Sequence, residues 1–352
     1  MHQVAIIIPT LNRIKFIERL IKYYYFFQNS NHHLYIGDAS SIDNSKIINN
    51  LSLKFSNKKI FYFHLPGMND RDTIYYLSKK IQNKFVAISG DDDFFIPDSL
   101  SLCANFLYKN LKFRTAQGKA ILFESVNDNL YGKIANLYKY WGIKECNFKS
   151  SKERLINFSK NYYVNQFSVH RANEFINDCK FIIECKDRHF GELMHCFTSI
   201  ARGKSKHIDC LYLVRQHSQI RGNSTISNSY KNKELWLNSP NWIQSFNIFK
   251  LNIEKLLCEV DAIDKKEANK ITVKIIYNLF YKKKYKQKLS PNYLKYLLID
   301  IIKQNKKIFN FVKIIKRLIF KQNYNKNKII KKITKNNEHK LIIEKFFEFI
   351  QN

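Results

Sequence analysis

A chain of 352 residues with 45% hydrophobic and 15% aromatic content has enough apolar surface to offset its chain entropy, which excludes a disordered protein and leaves room for one main domain plus an appendage. A formal net charge of +31 points to anionic partners such as membrane headgroups, nucleotide phosphates or acidic glycans, but a general bias towards Lys, Asn, Ile, Tyr and Phe would make any fold basic and names no partner by itself. Seven scattered cysteines without a CxxC pair exclude a disulfide framework and a standard zinc module, and suit a reducing cytosol.

The chain opens on MHQVAIIIPTLNR. It lacks a basic lead-in and Pro9 interrupts the apolar run, so it does not read as a signal peptide, and no stretch reaches the roughly 18 apolar residues of a membrane span. VAIIIP predicts a strand buried on both faces, and RIKFIERLIKYYYFF a helix. HLYIGDAS reads as strand and turn, SIDNSKIINNLSLKF as helix, KIFYFHL as strand, RDTIYYLSKKI as helix and KFVAISG as strand. This alternation predicts an α/β fold with a mostly parallel sheet and helices on both faces.

FIPDSLSLCANFLYKNL continues as a helix with Pro97 near its start, after which the pattern loosens through GKAILFESVNDNLYG and LYKYWGIKE. A helical stretch from about Ser151 and the segment from Cys185 to Thr225 complete a first domain, residues 1–228. Residues 229–352 read as a lysine-rich helical region. There, KKIFNFVKIIKRLIF sets Ile308, Phe311, Val312, Ile315 and Ile319 against Lys306, Asn310, Lys313 and Arg317, a face that either packs on its own domain, the favoured reading, or lies on an anionic membrane. Cys179, Cys185, His189, His195 and Cys196 match no metal-ligand spacing and read as ordinary core residues.

In parallel sheets ligands gather at the carboxyl ends of the strands, and here three predicted strands end in PTLNR, GDASS and GDDD. Asp91, Asp92 and Asp93 place three carboxylates side by side behind an apolar run. Like charges repel, so a divalent cation completed by substrate phosphates would explain them; a solvated acidic turn ahead of the next helix is the plainer alternative.

Together, VAIIIPTLNR, GDAS, AISGDDDFFIPDSL and VRQHS resemble the family-2-type glycosyltransferases of the GT-A fold, over roughly Val4 to Ser224. The resemblance implies a GT-A-like fold. It also implies a metal-dependent, inverting transfer of a sugar from a nucleotide-sugar, a UDP-sugar for preference, to a saccharide or lipid-linked glycan acceptor in surface polysaccharide biosynthesis. Pro9, Thr10, Asn12 and Arg13 match the opening motif that holds the nucleotide, and Asp38, with Ser40, stands where an acid contacts the base. Asp91, Asp92 and Asp93 cover the DxD-like position. Asp93 is the implied direct ligand of Mn²⁺ or Mg²⁺, with Asp91 or Asp92 towards the ribose or a metal-bound water.

The layout of FGELMHCFTSIARGKSKHIDCLYLVRQH puts Glu192 at the general-base position, where Gly191–Glu192 replaces the family's E-D pair; Asp187 is the rival. Arg215 and Arg221 would meet the leaving diphosphate, and His217 would complete the metal shell. A cytoplasmic enzyme is expected, at most peripheral at the inner face of a membrane through its basic carboxyl-terminal helices, with no specific nucleic-acid partner. The alternative from another class is a basic nucleic-acid-binding or magnesium-dependent nucleic-acid-processing protein, which no recognisable nucleic-acid motif supports.

Overall fold

The computed structural model describes residues 2–27, 31–54, 60–126, 129–141, 145–217, 240–281 and 337–351. Strand β1 (Val4–Thr10) runs parallel between β2 (His33–Asp38) and β4 (Phe85–Ile88), with β3 (Ile60–His64) outside β2. Helices α1 (Ile14–Phe26), α2 (Ser45–Lys54) and α3 (Asp70–Ser78) make the connections. Along β1, Val4, Ile6 and Ile8 enter one core with α1, while Ala5 and Ile7 enter another with Leu77 of α3. Burial on both faces is why this strand reads as an unbroken aliphatic run.

The chain continues through β5 (Asp93–Phe95), α4 (Pro97–Lys109), β6 (Phe113–Ser125), β7 (Ile134–Trp141), α5 (Ser151–Lys160), β8 (Val169–Arg171), α6 (Ala172–Glu184), α7 (Arg188–Arg202) and β9 (Lys204–Gln216). Among the described residues the sheet has nine strands in the order β3-β2-β1-β4-β8-β6-β9-β5, with β7 paired to β6. Strands β6 and β9 are parallel to each other, and β5, β7 and β8 run antiparallel to their neighbours. The stretches in which the sequence pattern loosened are thus the β6–β7 hairpin. Only one of its faces is buried, with Ile121, Phe123, Ile134 and Leu137 in the core. DFF, adjoining the predicted helix, forms β5 and buries Phe94 and Phe95.

Beyond residue 228 the described elements are helical: α8 (Pro240–Asp261), α9 (Lys265–Ile276), a π-helical turn at Tyr277–Tyr281, and α10 (Asn337–Gln351). Helices α8 and α9 pack with α5 and α7 around Phe190, Phe197, Phe249, Leu257 and Ile271. Helix α10 adds Ile343, Phe346, Phe347 and Ile350 to the core of the sheet, with the Phe346 ring 5.3 Å from those of both Phe94 and Phe123. The amphipathic segment 306–320 lies outside the described residues. Among the described residues no helix is long and apolar enough to cross a membrane.

Candidate active site

The carboxyl ends of β1, β2, β4 and β9 bring together most of the residues singled out from sequence. Asn12 has a positive φ of 56°, and its N–H donates to Ser40 Oγ at 2.7 Å. This turn presents Arg13, the residue preceding α1, to the acidic triplet. Its Nη1 bonds Asp91 Oδ1, its Nη2 bonds Asp92 Oδ2 at 3.0 Å, and its guanidinium lies over Phe16, 3.7 Å from the ring centroid. Thr10 Oγ1 donates to Asp91 Oδ2 at 2.7 Å.

Asp93 sits opposite Arg215 in the β5–β9 pairing. Its Oδ1 accepts from Arg215 Nε at 2.6 Å and its Oδ2 from the Gly90 N–H at 3.2 Å, and the side chain is 0% exposed. Both oxygens accept a hydrogen bond from the protein, which leaves Asp93 less open to a metal than its neighbour Asp92. Asp92 is more open: its side chain is 21% exposed and Arg13 engages Oδ2. A Cβ at Gly90 would stand 3.2 Å from Asp92 Oδ1 and 2.8 Å from Asp93 Oδ2, so glycine there keeps a side-chain-free notch between the two.

Burial, with Asp92 alongside, pushes the Asp91 carboxyl up to about 7 despite the pull of Arg13. Burial also raises Asp93, against the opposing charge of Arg215. Two guanidiniums in contact do not fully compensate three carboxylates. Arg19, fully buried with its guanidinium 5.0 Å from the Phe16 ring centroid and 4.9 Å from that of Phe94, adds a third positive charge behind them. The protein offers a hard cation here one accessible carboxylate beside the notch at Gly90, so a Mg²⁺ or Mn²⁺ would have to take most of its ligands from phosphate and water.

Asp38 is buried and its oxygens are taken up by the loop that follows it and by Tyr62 of β3. Oδ1 accepts from the Ser40 N–H at 3.0 Å and from Ser40 Oγ, while Oδ2 accepts from Asn44 Nδ2 at 2.8 Å and Tyr62 Oη at 3.0 Å. Asp38 therefore shapes the β2–α2 turn that delivers Ser40 to Asn12. Pro9 lies one residue earlier in β1, opposite Gly37.

Asp187 caps α7, its Oδ1 accepting from the N–H groups of His189 at 2.9 Å and Phe190 at 3.1 Å. Gly191 has a steric reason, since a Cβ there would lie 2.5 Å from Arg71 Cδ. Arg71 crosses from α3 to donate to the Lys186 carbonyl at 3.0 Å. Glu192 Oε1 accepts from Tyr162 Oη at 3.0 Å. Tyr140, which accepts from Arg215 Nη1, joins the two halves of the site. Burial raises its phenol, Arg215 opposes this, and the Asp93 and Glu192 carboxylates raise it further, so it sits within electrostatic reach of both.

His217 follows β9, where the Gln216 N–H donates to the Asp92 carbonyl at 3.1 Å. Its Nε2 lies 4.0 Å from Glu124 Oε1 and its side chain is 45% exposed. Arg221 lies outside the described residues. Of the Cys/His cluster, Cys179, Cys185, His195 and Cys196 are buried; among the described residues no group of three His, Cys, Asp or Glu side chains is placed to hold a metal ion, and that includes the acidic triplet. Arg71, Glu124, Tyr140 and Tyr162 were not legible as site residues, because nothing in their own segments marks them and only chain crossings bring them here. A cavity of about 530 Å³ lined by Arg114, Glu174, Lys180 and Arg202 lies at the other end of α7. Its charges are structural, with Asp178 between Arg114 at 2.8 Å and Arg202 at 2.9 Å.

No family model matches the chain, and no curated protein matches it. Solved structures do. Staphylococcus aureus TarS, residues 1–349, is similar at 14% identity, covering 82% of this chain and 75% of that one with a TM-score of 0.50. The same protein in complex with UDP-GlcNAc is similar at 13% identity, covering 82% and 76% with a TM-score of 0.50. At these identities the likeness concerns architecture: the chain has a GT-A-like α/β fold.

Proposed function

We propose that this chain is a family-2-type glycosyltransferase that moves a sugar from a nucleotide-sugar to an acceptor hydroxyl, with inversion and with a divalent cation. The observation that carries the reading is the meeting of Asp91–Asp93, Arg13 and Arg215 at the carboxyl edge of a GT-A-like sheet, with Tyr140 bonded to Arg215 and within electrostatic reach of Glu192. TarS, a glycosyltransferase of similar fold solved with UDP-GlcNAc, supports a UDP-sugar as donor.

Asp92 would hold the cation, with Asp91 and Asp93 held behind it by Arg13 and Arg215. Bound there, Mg²⁺ or Mn²⁺ supplies charge neutralisation for the diphosphate. His217 stands beside Glu124 and is left out of this ligand set. Arg13 and Arg215 lie where negative charge grows on the departing nucleoside diphosphate, and preplaced guanidiniums lower that barrier. Glu192 takes the acceptor proton on Oε2 while Oε1 is held by Tyr162. The acceptor oxygen bonds the anomeric carbon as the carbon–phosphate-oxygen bond breaks, so attack comes from the face opposite the leaving group. Asp187 is not proposed as base, because its carboxylate caps α7.

In this reading residues 1–228 carry the donor and base residues, and the described helices α8, α9 and α10 of the region 229–352 buttress them. Its lysine-rich part would give a peripheral seat on an anionic inner membrane surface, in keeping with the synthesis of a surface glycan. The test is a panel of UDP-, GDP- and CMP-sugars with Mn²⁺. At least one should be bound or hydrolysed, and Asp92→Asn and Glu192→Gln should suppress turnover. A silent panel from folded protein overturns the reading.

A further inference from the structure

We infer that the outer wall of the β6–β7 hairpin, formed by Glu124, Asn136 and Tyr138 with His217 beside them, is a subsite for a neutral, hydroxyl-rich saccharide acceptor. The inference rests on the glycosyl-transfer reading and adds to it where the acceptor binds and through which groups.

Register places the wall. Asp93 pairs with Arg215, Arg215 with Leu122, and Leu122 with Tyr138, so these four form one row across the sheet with side chains on one face. Glu124, Asn136 and His217 lie on that same face, one step nearer the carboxyl edge, where Glu124 pairs with Asn136 and the His217 N–H donates to the Phe123 carbonyl at 2.8 Å. The opposite face of the same strands, with Phe123, Leu137 and Val214, is core. Three strand spacings separate Asp93 from Tyr138, about 14 Å at roughly 4.8 Å each, whereas Glu124 is two strands away and His217 one. A diphosphate held at the triplet therefore leaves room for a donor sugar short of Tyr138, with His217 and Glu124 along its flank.

The chemistry of the wall differs from that of the donor end. Glu124 Oε2 accepts from Asn136 Nδ2 at 2.7 Å and Tyr138 Oη at 3.4 Å, so the carboxylate is oriented by neutral groups, and Oε1 faces His217 at 4.0 Å. Tyr138 keeps 45% of its surface exposed. An oriented carboxylate accepts hydroxyl hydrogen bonds, an amide both donates and accepts, and an exposed phenol ring covers the apolar face of a sugar. In a chain of net charge +31 a carboxylate at the centre of this wall also repels polyanions, which favours an uncharged glycan over a second phosphate-rich ligand.

The experiment is direct binding of a panel of neutral and acidic oligosaccharides to the full chain, read by saturation-transfer NMR without any donor. Neutral saccharides should bind, with Tyr138→Ala and Glu124→Gln each weakening binding at least tenfold and Tyr138→Phe retaining most of it. In transfer assays with an active donor, Tyr138→Ala should raise the acceptor KM and leave the donor KM in place. No binding by any neutral saccharide, preference for acidic ones, or equal binding by the Tyr138→Ala and Glu124→Gln variants overturns the inference. Because binding is read without donor, a silent nucleotide-sugar panel would count against the transfer reading and leave this result to stand or fall separately.

Discussion

Asp92 and Asp93 are neighbours with different tasks, because one carboxylate reaches solvent and the other is enclosed beside Arg215. Asp92→Asn should lower kcat at least 100-fold while leaving the melting temperature nearly unchanged, since the side chain is partly exposed and its loss of charge is felt by the diphosphate. Asp93→Asn should instead destabilise the fold by about 3 kcal/mol, because it leaves a largely buried guanidinium without its counter-charge. Thermal denaturation alongside turnover separates the two, and equal melting of both variants would refute the distinction. The acidic run was legible from its position after a strand. Which member stays open was not, because β5 and its antiparallel pairing with β9 turn Asp93 inward.

Tyr162 belongs to the same scale. Its ring is held edge-on by Phe158 at 5.4 Å and its hydroxyl donates to Glu192. Tyr162→Phe removes the hydrogen bond that fixes the Glu192 carboxylate and should lower kcat while the donor KM stays constant; an unchanged kcat would separate Tyr162 from the base.

At the scale of elements, α10 is part of the body of the sheet. Phe346 packs against Phe94, next in the chain to Asp93, and the Gly132 N–H donates to the Ile350 carbonyl at 2.7 Å. Phe346→Ala should cost about 3–5 kcal/mol by leaving a cavity beneath β5, and the same variant should weaken nucleotide-sugar binding. Chemical denaturation and donor titration check the two halves of this expectation. The βαβ half of the fold was readable because its central strands are continuously apolar and its helices periodic within single segments. The β6–β7 hairpin was not, because its exposed face mixes Glu124, Asn136 and Tyr138 with the aliphatic residues of its buried face. Docking of α10 depends on contacts more than 200 residues away in the chain, as with Phe346 and Phe123, and no local pattern records them.

At the scale of the molecule, α7 is pinned to the sheet by a pair of histidines. His170 on β8 and His195 on α7 stack with centroids 5.2 Å apart. Burial lowers His170 well below its usual range, with His195 and Arg114 adding to it, and lowers His195 to about 4. Unfolded histidine takes up a proton near pH 6.5, so the unfolded chain binds protons that the folded one refuses. Stability supplied by the neutral pair is present above about pH 6.5 and declines as pH falls towards 4. The raised carboxyl of Asp91 acts in the opposite direction over about pH 7 to 4, so the test is a difference: His195→Leu should flatten the acid side of the stability curve relative to the unsubstituted chain. Parallel curves would show that the pair contributes nothing to acid sensitivity.

The amino-acid sequence alone determined the alternating α/β class, and it offered the carboxyl ends of the strands, with Asp91–Asp93, as a candidate site, because these depend on local periodicity and on the order of short motifs along the chain; Glu192 entered only through the resemblance. The tertiary structure alone decided that Asp38 holds the β2–α2 turn to Tyr62 of β3, that Asp187 caps its own helix, that Asp93 faces Arg215, and that Tyr140 and Tyr162 bond Arg215 and Glu192. Those outcomes depend on which distant groups burial brings within hydrogen-bonding reach of a given oxygen, and such contacts are set by strand register and helix docking.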